Sequence, residues 1–323
     1  MNYVFLMDPL DTVIAHKDTS LIFMVGAERA GHRCFYLAPG GMSLDGPRVR
    51  FNVTPVRPRP DRASFPFDVD EPVELTDEQV DVVIVRTEPP FGDRYLMDTW
   101  LLERLPDRIP VINSPRGLRT VNEKLWSTQF VDLVPQTLVT SQLALYKQFI
   151  AAHDRAIVKP TDAKGGEGVF IVRRGDSNAN VIFETLSHNK TREVIVQQYI
   201  PEAERGDKRI LLLGGEYLAA CMRVHGSDDH RNNFFAGGKP APAELTPRDE
   251  QIIAALATHM VQLGLHFVGI DVIGDYLIEV NVTSPTCVQE CNRLYDRQYE
   301  DQVIAYIDQL THTSAAAGPR VSS

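Results

Sequence analysis

Residues 267–281 read Phe267-Val-Gly-Ile-Asp271-Val-Ile-Gly-Asp-Tyr-Leu-Ile-Glu279-Val-Asn281. Two apolar runs flank Gly274-Asp275, the pattern of a β-hairpin. Side chains alternate along a strand, so Glu279 and Asn281 share one face. On this reading Ile278, Val280 and Val282 face the core. Such a strand fits a hard-cation site, because Mg²⁺ takes oxygen ligands from a few carboxylates plus phosphate. Asp271 joins the site only if 271 pairs with 279, which needs an odd-length loop such as Gly274-Asp275-Tyr276. A two-residue turn at 274–275 pairs 271 with 278 and turns Asp271 to the other face. Taken alone, the same pattern also describes a solvent-facing strand.

Two further features bear on this one. Ile157-Val-Lys159-Pro is a buried strand ending in a lysine, followed by Lys164-Gly-Gly-Glu-Gly168. Glycines there permit positive φ, and backbone N–H groups in such a loop cradle phosphate; an ordinary glycine-rich turn has the same composition. Lys124, Lys159, Lys208, Arg209, Arg223 and Arg231 stand near segment ends or in Gly-flanked loops. Each is a candidate for binding a polyanion, and each alone is also an ordinary surface charge. The chain lacks the P-loop, the dinucleotide fingerprint, His-Glu-x-x-His and Gly-x-Ser-x-Gly, so P-loop ATPases, zinc proteases and serine hydrolases are disfavoured. A lysine at a strand end, a Gly-rich lid and a late two-acid-plus-Asn strand together suggest phosphoryl transfer without a P-loop.

The surrounding chain is α/β. Residues 1–120 alternate strands and helices around Tyr3–Met7, Cys34–Leu37, the β-branched run Asp81–Arg86 and Pro110–Asn113, which implies a parallel sheet. The proline- and acid-rich stretch 54–80 reads as a surface excursion. A helix is expected over Asn122–Asp132, then strands Thr137–Thr140, Ala156–Lys159, Val169–Val172 and Val194–Tyr199 with helices Gln142–His153 and 178–187. A third lobe opens at Pro201 with a hairpin across Gly214-Gly215 and helix Thr246–Leu263. The domains expected are 1–121, 122–200 and 201–310, with a disordered tail at 311–323.

Composition narrows the class. The 323 residues are 43% hydrophobic and carry a formal charge of −10, which suits a globular protein and argues against nucleic-acid binding. No apolar run approaches the ~20 residues of a membrane span. The N-terminal run reads as a first strand and not as a signal peptide. Cys34, Cys221, Cys287 and Cys291 form no Cys-x-x-Cys, and free thiols in a reducing cytoplasm are expected. The apolar face around Leu21–Val25 is either helix core or an oligomer contact.

In order and spacing the chain resembles the ATP-grasp superfamily and, more closely, the bacterial glutathione synthetases, over roughly residues 3–310. The resemblance is carried by Met7-Asp-Pro9, His16-Lys-Asp-Thr-Ser20, Val85-Arg86 with Pro89-Pro-Phe91, Asn122-Glu-Lys-Leu125 and Lys159-Pro. It continues in Gly165-Gly166, Gln198-Tyr-Ile-Pro201, Gly206-Asp-Lys-Arg209, Ala236-Gly-Gly238, Val268-Gly-Ile-Asp271 and Glu279-Val-Asn-Val-Thr-Ser-Pro-Thr286.

The resemblance implies an ATP-grasp fold: an N-terminal parallel-sheet, Rossmann-like substrate domain and two α+β lobes enclosing ATP. It implies glycine ligation to the cysteinyl carboxylate of γ-glutamylcysteine through an acyl phosphate. Lys124 and Lys159 would contact ATP phosphates, Gln198, Tyr199 and Ile200 the adenine, and Lys208, Gly165 and Gly166 would also belong to the ATP site. Asp271, Glu279 and Asn281 would hold Mg²⁺, or Mn²⁺. Arg209, Arg231 and Asn233 would stand near the transferred group, with loops 161–168 and 226–238 as lids. Lys17, Asp18, Arg86, Arg223 and Ser284 match positions lining the dipeptide pocket. A cytoplasmic homo-oligomer with small-molecule substrates, and neither nucleic acid nor membrane as partner, is expected. The chain departs from the family pattern at Thr87-Glu88, over 54–80, at Asn232 with Phe234-Phe235, and over 287–300; the second-lid and C-terminal departures bear on the amine acceptor, and another ATP-grasp carboxylate–amine ligase, with a different dipeptide or amine, is the alternative.

Overall fold

A computed structural model describes residues 1–224 and 239–316. The chain runs β1 (Asn2–Leu6), α1 (Thr19–Arg29), β2 (Arg33–Asp45), β3 (Arg48–Pro58), β4 (Phe67–Val69), β5 (Val73–Thr76), β6 (Val82–Val85), α2 (Asp93–Leu102), β7 (Val111–Ile112) and α3 (Pro115–Thr120). It continues through β8 (Thr137–Thr140), α4 (Leu143–Ala152), β9 (Arg155–Pro160), β10 (Phe170–Arg173), α5 (Ala179–Leu186) and β11 (Val194–Gln198). The last part holds β12 (Asp207–Leu213), β13 (Glu216–Val224), β14 (Lys239–Pro242), α6 (Pro247–Leu263), β15 (Phe267–Ile273), β16 (Tyr276–Asn281), α7 (Val288–Tyr295) and α8 (Tyr299–Ala316).

Three sheets result. The first has order β4-β3-β2-β1-β6-β7, with β5 also paired to β3. Its centre is parallel, as the βα rhythm predicts, since β1 pairs in parallel with β2 and β6, and β6 with β7. The stretch 54–80 differs from expectation. It continues β3 and returns as β4 and β5, all antiparallel, so the sheet is mixed. Proline misled the reading because Pro55 and Pro58 sit in β3, opposite Phe35 and Phe67.

The second sheet, β10-β9-β11-β8, and the third, β14-β13-β12-β15-β16, are antiparallel. Helix ends follow capping chemistry. The Asp18 carboxylate accepts from Leu21 N at 2.7 Å to start α1. Thr246 and Asp249 form a capping box at α6, Pro247 fills its first turn, and Gly264 ends it at φ 64°. Leu21, Phe23 and Met24 are buried in the core cluster that includes Val303, Ile304 and Ile307 of α8.

The helix expected over Asn122–Asp132 does not form; Trp126–Gln129 makes only a short 3₁₀ turn. The segment covers the open edge of β16 instead. Val280 N donates to Glu123 O at 2.9 Å and Leu277 N to Leu133 O at 2.8 Å. An uncovered edge would leave those donors unpaired. The tail is also corrected, because α8 runs through to Ala316. The rest of the expected disordered tail, 317–323, lies outside the described residues, as do 225–238 with Arg231, Asn233 and the whole second lid.

Candidate active site

The hairpin of β15 and β16 holds both features that the sequence set against each other. Ile273 pairs with Tyr276, so the turn has two residues, yet Asp271 pairs with Glu279. A bulge between Asp271 and Val272 reconciles them, with Ile278 as the extra residue on β16. The expectation that Ile278 faces the core is therefore corrected. Leu277, Val280 and Val282 are buried, whereas Ile278 joins Glu279 in lining a cavity.

That cavity measures about 640 Å³ and lies between the second and third sheets. Alternation along β9 buries Ala156 and Val158 in the lobe core and gives Arg155, Ile157 and Lys159 to the cavity. On β12 the same rule sends Asp207 and Arg209 inward. Lys208 faces away from the cavity, so its expected place in the ATP site is corrected. Its Nζ donates to Asp249 Oδ2 at 2.5 Å and to Glu244 O at 2.8 Å, at the start of α6.

Charge is concentrated at one end. Lys124 and Lys159 Nζ stand 3.7 and 3.6 Å from Glu279 Oε1. Burial pushes Lys159 below the ordinary lysine range against the pull of Glu279. Asp271 accepts from Arg209 NH2 at 3.0 Å and pairs with Arg223 at 2.9 Å. Burial works to raise its carboxyl, but the two guanidiniums hold it well below the usual carboxylate range. Asn281 Nδ2 donates to Gly269 O at 3.2 Å and Asp271 Oδ2 at 3.3 Å, which leaves its Oδ1 as the ligand end. The other end is apolar, with Ile157, Val169, Ile171, Ile200, Ile273 and Ile278.

Gly165, Gly166 and Gly168 have φ of 62°, 75° and 68°, the left-handed values that favour glycine. Lys164, in the same loop, pairs with Glu88 beyond β6. A second cavity of about 310 Å³ opens at that pair and holds Lys17, Asp18, Arg86, Ser284 and Glu290. Glu88, Lys164, Ser284 and Thr286 line both cavities.

A family profile for the N-terminal domain of prokaryotic glutathione synthetase matches residues 1–119, and one for its ATP-grasp domain matches residues 123–296. The chain belongs to the prokaryotic glutathione synthetase family. A glutathione synthetase of Xanthomonas campestris is 41% identical over 90% of this chain and 92% of its own. That of Gloeobacter violaceus is 38% identical over 98% of this chain and 99% of its own. A crystal structure of a D-cycloserine synthetase shares the fold, with a TM-score of 0.67 at 17% identity over 96% of this chain and 100% of that one.

Among the residues that glutathione synthetase resemblance singles out, the larger cavity gathers Lys124, Lys159, Gly165, Gly166, Gln198, Tyr199, Ile200, Arg209, Asp271, Glu279 and Asn281. Arg223 lies there too, apart from Lys17, Asp18 and Arg86 in the smaller cavity. Arg86 is buried, donating from Nε to Ser20 Oγ at 3.0 Å and from NH2 to Pro285 O at 2.9 Å. One contributor went unread. Glu123 Oε1 accepts from Val282 N at 2.8 Å, Thr283 N at 2.9 Å and Thr283 Oγ1 at 2.8 Å, fixing the strand end beside Asn281. It sits in the quoted string Asn122-Glu-Lys-Leu125, but its partners are some 160 residues away.

Proposed function

We propose that this ATP-dependent ligase of the glutathione synthetase family joins glycine to the cysteinyl carboxylate of γ-glutamylcysteine. One observation carries the reading: a cavity with Lys124, Lys159 and Glu279 at its charged end adjoins a smaller charged cavity through the Lys164–Glu88 pair. A nucleotide in the first and a dipeptide in the second would meet at that junction.

The apolar end of the larger cavity suits adenine, with Gln198, Tyr199 and Ile200 beside it. Lys124 and Lys159 carry the phosphates. The dipeptide carboxylate attacks the γ-phosphorus, ADP leaves and an acyl phosphate forms. The glycine amine then attacks the acyl carbon, a proton is lost from nitrogen and phosphate departs. The first step sets anion against anion, and the lysines and Arg209 offset that repulsion. Holding both reactants in line lowers the barrier by up to ~7–11 kcal/mol. The loop 161–168 covers the junction and keeps water from the acyl phosphate.

A divalent cation fits the donor set. Asp271, Glu279 and Asn281 offer hard oxygen atoms on adjoining strands, and among the described residues no third carboxylate, His or Cys closes a cluster. Such a partial shell suits Mg²⁺ or Mn²⁺ completed by phosphate oxygens. The ion would screen phosphate charge.

Among the described residues no helix is long and apolar enough to cross a membrane, and all four cysteines are free and buried. Both support a cytoplasmic enzyme of small molecules, and a homo-oligomer completes the proposal. The test is Mg²⁺-dependent ADP release from ATP and γ-glutamylcysteine, with and without glycine, with the product weighed by mass spectrometry. Glycine-dependent glutathione is expected. Turnover only with another amine would redirect the acceptor, and absence of nucleotide binding would overturn the proposal.

A further inference from the structure

The strand end beside Asn281 is held by side chains that reach it from far along the chain. The ladder between β15 and β16 has its last pair at Gly269 and Asn281. Beyond that pair Asn113 bridges the two strands. Its Nδ2 donates to Phe267 O and to Val282 O, both at 2.7 Å, and its Oδ1 accepts from Phe267 N at 2.8 Å. Asn113 follows β7 of the first sheet, is 4% exposed and lines neither of the two cavities described above. Val282 also donates its N–H to Glu123 Oε1 at 2.8 Å, so both backbone polar groups of the residue after Asn281 end on side chains. The corner that carries Asn113 is fixed in turn. Ser114 N donates to Gly264 O at 2.9 Å, and a Cβ on Gly117 would stand 2.5 Å from Leu263 O.

We propose that Asn113 is a positioning residue for the divalent cation: by tying Val282 to Phe267 it fixes where Asn281 Oδ1 points. The inference rests on the cation site proposed above and not on which amine is ligated. Asn281 Nδ2 is anchored on Gly269 O and Asp271 Oδ2, so the direction of its Oδ1 follows the backbone that Asn113 holds. Ligand geometry depends on the groups that orient the ligand as well as on the ligand itself. The amide spends both its donor and its acceptor capacity on this one hairpin, and without it Phe267 N, Phe267 O and Val282 O lose their partner. The first sheet supplies none of the three proposed ligands, yet through Asn113 it sets metal affinity.

The test titrates Mn²⁺ into the full chain with saturating ADP and follows the EPR signal of the free ion, with urea midpoints measured beside it. Wild type, Asn113→Ser, Asn281→Ala and the double variant form a cycle. Asn113→Ser is expected to weaken Mn²⁺ binding by about 10-fold, and by less than about two-fold once residue 281 is alanine. Ser114→Ala removes the cap of α3 in the same corner, and should lower the urea midpoint while Mn²⁺ affinity stays within about two-fold. Glu123→Ala frees the N–H of Val282 and should repeat the weakening, so it decides the matter if Asn113→Ser does not fold. Unchanged Mn²⁺ affinity in these variants, an equal loss in Ser114→Ala, or a loss that persists in the Asn281→Ala background would overturn the role of Asn113 and leave the cation site standing. Wild-type Mn²⁺ affinity in Asn281→Ala, or no Mn²⁺ binding by the wild type, would instead overturn the cation site and this role with it. Glycine-dependent turnover is decided separately by the assay of the proposed function.

Discussion

Asp271 and Glu279 are direct cross-strand partners although only two residues turn the chain between their strands. The bulge at Ile278 makes this possible, and it places two carboxylates and an apolar wall in one cavity. The two acids should respond differently to neutralisation. Glu279 is partly exposed, with 21% of its side chain accessible, so Glu279→Gln should fold normally and lose about 100-fold or more in kcat. Asp271 balances two buried guanidiniums, so Asp271→Asn should also destabilise the protein by about 3–5 kcal/mol. Urea unfolding beside steady-state assays separates the two outcomes.

Ile278 gives a second test of the bulge. Trimming it to alanine widens the apolar end of the cavity without touching a charge. ATP KM should rise by about 3–10-fold while kcat holds, consistent with ~1 kcal/mol of lost apolar contact. An unchanged ATP KM would show that Ile278 does not contact the nucleotide.

These residues mark where sequence reasoning succeeds and stops. Alternation puts Glu279 and Asn281 on one strand face, because a strand's period is local information, while Lys159 stands out only as a lysine ending an apolar run. A bulge breaks that period by one residue, and nothing in Gly-Asp-Tyr-Leu-Ile announces it, so strict alternation sends Ile278 to the core. The segment 122–132 has helical composition but forms only turns and a short 3₁₀ helix, because its backbone also meets the donors of β16, a tertiary demand that overrides propensity. Glu123 escapes for a related reason, since it acts through partners on a remote strand end. Lys208 was legible in principle: it alternates with Asp207 and Arg209, so only one of those faces could meet the nucleotide.

The Lys164–Glu88 pair fastens the glycine-rich loop to the N-terminal sheet at the junction of the two cavities. An exposed ion pair contributes little to stability, so its removal should leave unfolding unchanged within about 1 kcal/mol. Its effect should fall on loop closure. Lys164→Ala should raise the ratio of ADP released to peptide formed, as water reaches the acyl phosphate. A ratio that stays at one would exclude a sealing role for this pair.

Lys208 separates a structural cation from a nucleotide-binding one. Its partner Asp249 is fully buried and also closes the capping box of α6. Lys208→Met strands that carboxylate, and a loss of about 2–4 kcal/mol in urea unfolding is expected. ATP KM should remain within a factor of two. A selective rise in ATP KM with unaltered stability would return Lys208 to the phosphates.

His266 makes stability depend on pH. Burial lowers it from 6.5 to about 4, and its Nδ1 lies 2.9 Å from the Tyr306 hydroxyl. The folded state therefore binds this proton more weakly than the unfolded chain. Stability is fully present above about pH 6.5, falls as the unfolded chain takes up the proton, and levels off below about pH 4. The full span corresponds to about 3–4 kcal/mol. Urea unfolding at pH 7.5 and pH 5.0 measures roughly half of it. His266→Asn, which has no titrating ring, should show a smaller drop between those two pH values. Equal drops in both proteins would mean that His266 titrates alike in the folded and unfolded chains, and that other groups carry the acid sensitivity.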